Sequence, residues 1–294
     1  MPSQVPPAGV WCPAVTLFDP VTDKVDFENQ ARYFHYLSTT GLAGLVILGT
    51  NAETMLLTRE ERKTLIATAR RAVGPSFPIM AGVGAHSTAQ TLEFISDAAA
   101  AGANSVLVLP NAYFGVCNGV DLSSDFIEAM AKRHNNIVGV KLTCGSVAKI
   151  TRLGAVLSKD KFAIFGGQAD FIIGGLSSGS SGCIAAFANV VPRCVVRINE
   201  LYRQGRHAEA LALHQKTALA EQAIKGGIAP TKYAAAIHSA TYAGIQDAPS
   251  KMAPRRPYVA PASAVQEMVK ARTAEVGSIE QSLPLINRPI SSKI

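Results

Sequence analysis

Lys141 is the residue whose surroundings most clearly indicate chemistry. It lies in the β-rich run 136–143, and on a two-residue period the aliphatic residues of that run share one face while Lys141 shares the other with Gly139. In a parallel barrel the aliphatic face would meet the surrounding helices, so Lys141 would point inward at the carboxyl end of its strand, where barrel active sites lie. Burial there would lower the pKa of the amine, and a neutral amine is the nucleophile that forms a Schiff base with a ketone. The alternative is a strand-end lysine that reaches solvent or pairs with a carboxylate.

A second stretch could bind an anion. The apolar run 44–48 leads directly into Gly49, Thr50 and Asn51. A strand that ends in small polar residues offers hydroxyl, amide and backbone N–H donors, which suit a substrate carboxylate. The alternative is an ordinary turn between a strand and a helix, held by a threonine side-chain hydrogen bond.

Both stretches belong to a regular alternation of strand-like and helix-like segments. The N-termini of two helical segments can be located from the sequence. The spacing of a capping box occurs at Thr58 with Glu61 and at Ser87 with Gln90. The alternation predicts right-handed crossovers and a mostly parallel sheet covered by helices. No glycine-rich turn follows the first strand, which disfavours an open doubly wound sheet and favours a TIM (β/α) barrel. The strand-like segments are 10–17, 45–48, 78–83, 105–109, 137–142, 162–165 and 183–187.

After the last of these strands the sequence shows only helical patterns. We therefore predict three parts of the chain. They are a β/α barrel core over residues 1–190, C-terminal helices packed on the barrel over residues 191–276, and a tail over residues 277–294.

Composition excludes several other classes of protein. Of the 294 residues, 48% are hydrophobic and 17% are charged, so the chain can bury a large core and is not a disordered protein. The net charge of +7 comes without a cluster of basic and aromatic residues, so we expect no nucleic-acid partner. The uncharged runs are interrupted, so we expect no membrane partner. The six histidines form no HxH or HExxH pair, so we expect no metal site.

We expect a cytoplasmic protein. The five cysteines form no CxxC pair and are typical of reduced, intracellular thiols. The first ten residues do not resemble a secretory signal. The chain ends Ser292-Lys293-Ile294, which differs from the peroxisomal Ser-Lys-Leu signal only in its last residue, so a peroxisomal location is an alternative.

Four segments together resemble the N-acetylneuraminate lyase and dihydrodipicolinate synthase superfamily of class I aldolases. The resemblance covers most of residues 8–245 and implies a barrel fold with a Schiff-base lysine. The segments are GTNAE at 49–53 with LTREER after it, GVKLT at 139–143, FGGQ at 165–168 and GCIAAFANVVP at 182–192.

The family's functional residues can be carried over by position. The implied roles are a Schiff-base lysine, two carboxylate-binding side chains, one side chain beside the lysine, and two backbone groups that line the pocket. The resemblance also implies a homo-oligomer, a dimer or tetramer, and no metal or organic cofactor. The residues are, in that order, Lys141, Thr50 and Asn51, Thr143, and Gly167 and Ile184.

The implied activity is the reversible cleavage of a hydroxylated 2-keto acid to pyruvate and an aldehyde. The substrate would be a 2-keto-3-deoxy sugar acid or 4-hydroxy-2-oxoglutarate, because Asn51 replaces the second threonine that is usual in dihydrodipicolinate synthase. Ala52 replaces a common glycine, and a left-handed backbone there would cost alanine about 1 kcal/mol. An imine-dependent dehydratase or dihydrodipicolinate-synthase-like enzyme is an open alternative.

One part of the family pattern is missing from the sequence. Family members take a proton-relay tyrosine from a fifth-strand segment that reads approximately LYNxP, and this chain has no such segment. One strand and one helix are missing between Gly115 and Val116, since the residues before this point resemble the fourth strand and its loop, and those after it resemble the segment that lies beyond the fifth strand. Tyr113 lies on the wrong segment to be the relay. The second open alternative is therefore a catalytically impaired or inactive paralogue, or a truncated product.

Overall fold

A computed structural model describes residues 4–109 and 121–285 of the chain. Its strands are β1 Gly9–Pro13, β2 Gly44–Ile47, β3 Ile79–Gly82, β4 Ser105–Leu107, β5 Gly139–Leu142, β6 Ala163–Gly166 and β7 Gly182–Ile184. Within the described residues these seven strands form one parallel sheet in the order β4-β3-β2-β1-β7-β6-β5. The first strand therefore lies beside the last, as it does in a (β/α) barrel. The predicted TIM-barrel-like fold with seven strands is confirmed.

The sheet is curled around an apolar interior. Side chains of β3 and β6 belong to one buried cluster. Each of the five neighbouring strands β3, β2, β1, β7 and β6 contributes a side chain to this cluster, so the cluster runs along one face of the sheet. The large members of the cluster are Trp11, Val46, Met80, Phe165 and Ile184.

Asn189 stabilises the junction between β1 and β7, the first and last of the described strands in chain order. This residue is fully buried just after β7. Its Nδ2 donates to the carbonyl of Pro13 at 2.9 Å, and its Oδ1 accepts from the N–H of Val15 at 3.1 Å. The hydroxyl of Tyr33 donates to the Asn189 carbonyl at 3.1 Å. The junction is therefore held by buried side-chain hydrogen bonds in addition to the strand ladder.

Helices cover the outer face of the sheet and extend beyond it. Thr58 and Glu61 form the predicted capping box at α2. Ser87 caps α3 by accepting from the N–H of Gln90 at 3.1 Å, but the Gln90 side chain meets the Ser87 hydroxyl and not its backbone. None of the described helices is both long enough and apolar enough to cross a bilayer. The helices are α1 Phe27–Ser38, α2 Arg59–Val73, α3 Thr88–Ala100, α4 Ser124–Arg133, α5 Val147–Val156, α6 Ile172–Ser177, α7 Pro192–Arg203, α8 His207–Glu221, α9 Ile228–Ile237, α10 Ser239–Tyr242, α11 Ala248–Lys251 and α12 Ser263–Ser282.

The last helix continues past residue 277, where we predicted a tail. Glu280 of α12 is fully buried, and its carboxylate accepts from the N–H groups of Arg193 at 3.0 Å and Cys194 at 2.8 Å. A carboxylate at this position satisfies free N–H groups at the start of α7 and interacts favourably with the helix dipole. Residues up to Ser282 are therefore helical, and the part of α12 beyond 277 packs with the C-terminal helices.

The sheet has an open seam between β4 and β5. These two strands are its edges and do not pair with each other in the described residues. Every residue of the other five strands is buried, whereas Leu142 is the only buried residue of β4 and β5. Val106 of β4 and the following Val108 are 37% and 54% exposed. The seam lies where the missing strand and helix would lie, although Tyr113 and the join at Gly115–Val116 fall outside the described residues.

We predict that inserting a family member's fifth strand and helix between Gly115 and Val116 will raise the midpoint of thermal unfolding. The insert would pair both edge strands and cover exposed apolar side chains, and each 1 kcal/mol gained corresponds to about 2–4 °C for a chain of this size. The measurement is calorimetry of both chains. An insert of the same composition in scrambled order is the control, and an equal or higher midpoint for the chain without insert would contradict the prediction.

Candidate active site

Lys141 lies on the inner face of the sheet, as the alternation predicted. It is in register with Phe165 of β6, whose side chain belongs to the interior cluster. The neighbouring Val140 and Leu142 pack instead with residues of α4 and α5 on the outer face. Because side chains in register on paired parallel strands point to the same face, the Lys141 amine points into the barrel.

The surroundings of the Lys141 amine decide whether it could act as a nucleophile. Its side chain is partly buried, and burial lowers its pKa from the ordinary value of lysine. Within the described residues no carboxylate pairs with it and no hydrogen bond holds it. The alternative of a lysine paired with a carboxylate is therefore not what this part of the structure shows. A larger neutral fraction and a free lone pair are what attack on a ketone requires.

The loop after β2 presents Thr50 and Asn51 with unused polar groups. Thr50 is exposed and Asn51 is partly buried at the start of a 3₁₀ turn that ends at Ala52. In the described structure neither side chain hydrogen-bonds to protein. Thr54 makes the side-chain bonds of the turn, donating to the carbonyls of Leu48 at 2.9 Å and Gly49 at 2.8 Å. The Thr50 hydroxyl and the Asn51 amide can therefore serve a ligand.

The left-handed backbone considered for Ala52 occurs at Leu48 and Glu53 instead. Glu53 has φ 56° and Leu48 has φ 65°, while Ala52 lies in the right-handed 3₁₀ turn. The replacement of glycine by Ala52 therefore carries no left-handed cost here. Left-handed backbone is uncommon for residues other than glycine, so other contacts must hold Glu53 in place.

A buried ion pair provides those contacts, and the sequence analysis missed it. The Glu53 carboxylate accepts from Lys232 Nζ of α9 at 2.5 Å and from the N–H of Arg255 at 2.8 Å. Burial lowers the pKa of Lys232 to about 8. In the sequence, Lys232 is the one charged residue of α9, but this does not show which residue pairs with it.

Thr143 and Gly167 lie side by side at the ends of β5 and β6. The Gly167 N–H donates to the Leu142 carbonyl at 2.9 Å, and a Cβ added to Gly167 would lie 2.5 Å from the Thr143 Cα. Ile184 is buried in the interior cluster together with Phe165. The structure thus places Thr143 and Gly167 beside the lysine strand, and Ile184 within the barrel. Among the described residues no group of three or more His, Cys, Asp or Glu side chains could hold a metal ion.

A parallel, barrel-like sheet has an inward lysine at one strand end and, at another, a loop with two polar side chains that bond none of the described residues. This is the arrangement expected of a lysine-dependent barrel lyase. The model of the dihydrodipicolinate synthetase family matches residues 6–118 and 113–274, and the chain belongs to this family.

Several relatives support this assignment. A protein of Coccidioides immitis (strain RS), provisionally named a mitochondrial 4-hydroxy-2-oxoglutarate aldolase, is 56% identical over 96% of this chain and 100% of its own length. The L-threo-3-deoxy-hexylosonate aldolase of Hypocrea jecorina is 33% identical over 78% of this chain and 85% of its own length. A crystal structure of a dihydrodipicolinate synthase family protein from Coccidioides immitis superimposes with a TM-score of 0.91, at 56% identity, over 97% of this chain and 100% of that chain.

The comparisons also indicate that this chain lacks a segment that the first relative has. The alignment with the first relative is 313 positions long but includes only 96% of these 294 residues, so about 30 of its positions have no residue of this chain opposite them. The family match divides at residues 113–118, which is where we predicted the missing segment. Together with the open seam, this locates the deficit between β4 and β5.

We predict that Gly167→Ala will lower the thermal unfolding midpoint. The new Cβ would lie 2.6 Å from the Thr143 Oγ1, and such overpacking costs about 1–3 kcal/mol. Gly154→Ala in α5 is the matched control, because its Cβ would have only a 3.5 Å contact and alanine favours a helix. Equal melting of the two variants would show that the walls of the site are not tightly packed.

Proposed function

We propose that this protein is a Schiff-base aldolase that cleaves a hydroxylated 2-keto acid to pyruvate and an aldehyde. The observation that carries the proposal is the Lys141 amine, which points into the barrel without a carboxylate partner among the described residues and has a lowered pKa. The Thr50 hydroxyl and the Asn51 amide would hold the substrate carboxylate. We expect no metal or organic cofactor, because the lysine itself supplies the electron sink.

The first substrate to test is 4-hydroxy-2-oxoglutarate. Relatives at 56% and 37% identity, from Coccidioides immitis and Emericella nidulans, bear the name of an aldolase for this compound. Relatives at 33% and 28% identity are named for L-threo-3-deoxy-hexylosonate, which is also a hydroxylated 2-keto acid. Asn51, in place of the second threonine of the synthase, supports the same substrate class.

The proposed reaction begins with attack of the Lys141 amine on the C2 carbonyl. Loss of water gives a protonated imine. The C3–C4 bond then breaks, its electron pair moves into the imine to form an enamine, and the C4 hydroxyl loses its proton as the aldehyde forms. Protonation of C3 and hydrolysis of the imine release pyruvate and restore the amine. With 4-hydroxy-2-oxoglutarate the aldehyde is glyoxylate.

Without the missing segment, this protein should be a weak aldolase. The relay tyrosine of the family belongs to the missing segment, and an acid–base group typically contributes about 10²–10⁴-fold to the rate. Lys141 also lies on an edge strand of the open seam, so its position is less constrained than in a closed barrel. A catalytically impaired paralogue is therefore the second candidate function, favoured by the unpaired edges of β4 and β5.

The oligomeric state is proposed from the family, and the location from the names of two relatives. We propose a homo-oligomer, a dimer or tetramer. The names of the two 4-hydroxy-2-oxoglutarate aldolase relatives include mitochondria, so we add this compartment to the predicted cytoplasm and to the peroxisomal alternative. The terminal Ser292–Ile294 lies outside the described residues. Imaging of fusions that leave one or the other terminus free distinguishes the three locations.

We predict that pyruvate and borohydride will label Lys141 irreversibly. The reductant traps the imine as a stable secondary amine, which peptide mass mapping locates. The rate of labelling should fall as the pH is lowered, because the protonated amine does not attack. Since burial lowers the pKa of Lys141, this fall should occur at a lower pH than for an exposed lysine.

Lys141→Arg is the control for labelling, because it keeps the charge and removes the nucleophile. An adduct that persists in this variant, or that is absent from the unmodified chain, would refute the Schiff-base mechanism. Product analysis with 4-hydroxy-2-oxoglutarate then separates the remaining alternatives. Glyoxylate and pyruvate indicate an aldolase, a dehydrated keto acid indicates a dehydratase, and an adduct without turnover indicates an inactive paralogue.

A further inference from the structure

Lys232 and Glu53 form the most completely buried ion pair in the described part of the chain. Their side chains are 0% and 2% exposed, and Lys232 Nζ lies 2.5 Å from Glu53 Oε2. Lys232 Nζ also donates to the Ala253 carbonyl at 2.9 Å and lies 4.6 Å from the centre of the Phe18 ring. The amine of Lys232 is therefore held by an ion pair, a backbone hydrogen bond and an aromatic ring.

Glu53 connects this pair to the proposed carboxylate-binding residues. Its backbone N–H donates to the Thr50 carbonyl at 3.0 Å and closes the turn that contains Thr50 and Asn51. Its left-handed backbone, with φ 56°, directly follows Ala52, whose carbonyl accepts from the Thr16 hydroxyl at 2.8 Å. The Glu53 side chain is thus one of the anchors of the turn, together with the hydroxyls of Thr16 and Thr54.

A buried ion pair by itself adds little to the free energy of unfolding. Removing two charges from water costs much of what their attraction returns, and apolar residues of similar volume often serve as well. Such pairs are better explained where they fix one particular geometry. Here the fixed geometry is that of a loop with uncommon backbone torsions and two free polar side chains.

We propose that Lys232 is a positioning residue that acts through Glu53 to hold Thr50 and Asn51 in the geometry that binds the substrate carboxylate. This inference rests on the proposed function of the site. It assigns to α9, a helix outside the strand and helix alternation, an indirect part in substrate affinity. It predicts an effect on binding and little effect on the chemistry at Lys141.

The experiment measures the borohydride-trapped pyruvate adduct as a function of pyruvate concentration in Lys232→Met of the full chain. The half-saturating pyruvate concentration should rise about tenfold or more, since bonds to a charged group are lost, while the labelling rate at saturation should change by less than about threefold. Lys251→Met is the matched control, because it breaks the Lys251–Asp26 pair of 2.6 Å, which makes no bond to Glu53 or to the turn of Thr50 and Asn51. The control should leave the half-saturating concentration unchanged.

Coupling to the loop separates positioning from general destabilisation. If Lys232 acts through the loop, Lys232→Met should add little to the weakened binding of Thr50→Val, so the two effects will not be additive. Additive effects, or an unchanged half-saturating concentration with only a lower melting temperature, would overturn the proposal. Should Lys232→Met fail to fold, Lys232→Met with Glu53→Gln removes both charges together, and the same change in half-saturation is expected.

A binding measurement keeps this inference distinct from the proposed function. Pyruvate binding to the Lys141→Arg chain, measured by ligand-observed NMR, reports carboxylate contacts without an imine. Lys232→Met should weaken that binding by a similar factor. Absence of a Lys141 adduct with Lys232-dependent pyruvate binding would refute the aldolase and support the positioning role. A Lys141 adduct together with pyruvate binding that does not depend on Lys232 would support the aldolase and refute the positioning role.

Discussion

The curled sheet depends on the junction between its first and last strands. In a complete barrel the ring of strands is closed everywhere, so no single pairing is decisive. Here β4 and β5 are unpaired, and among the described strands only the β1–β7 pairing joins the N-terminal group β1–β4 to the C-terminal group β5–β7. Asn189 strengthens that pairing with buried hydrogen bonds to the strand and to the segment after it. Breaking this junction would separate β1, β2 and β3 from the lysine strand.

The C-terminal helices matter to the site and not only to the size of the core. Lys232 of α9 reaches the loop after β2, and Glu280 of α12 caps α7, whose own first residues provide no side-chain cap. In both cases a buried charge satisfies backbone or loop groups far away in the sequence. The helical extension thus fixes the ends of elements that belong to the barrel.

Local patterns made much of this predictable. The two-residue period of 136–143 places Lys141 opposite Val140 and Leu142, and a strand cannot change that relation without a bulge. The Thr58 box is set by local chemistry as well. The Glu53–Lys232 pair was not predictable in this way, because its partners are 179 positions apart and a lone charge in an apolar helix does not identify what neutralises it. The boundary at 277 failed for the same reason, since the contacts that bury Glu280 are made with Arg193 and Cys194.

The open seam changes what a bound substrate does to the protein. Lys141 stands on an edge strand, and the only hydrogen-bonded route through the described strands from it to the loop of Thr50 and Asn51 runs through β6, β7, β1 and β2. A keto acid bound covalently at the lysine and through its carboxylate at the loop would connect the edge strand β5 to β2, which lies nearer the middle of the curled sheet. It would be a removable cross-link, and its binding energy would oppose the spreading of the sheet. Substrate binding and the rigidity of the sheet are then thermodynamically linked. This chain, which lacks one strand and one helix of the family barrel, should be most ordered when substrate is bound.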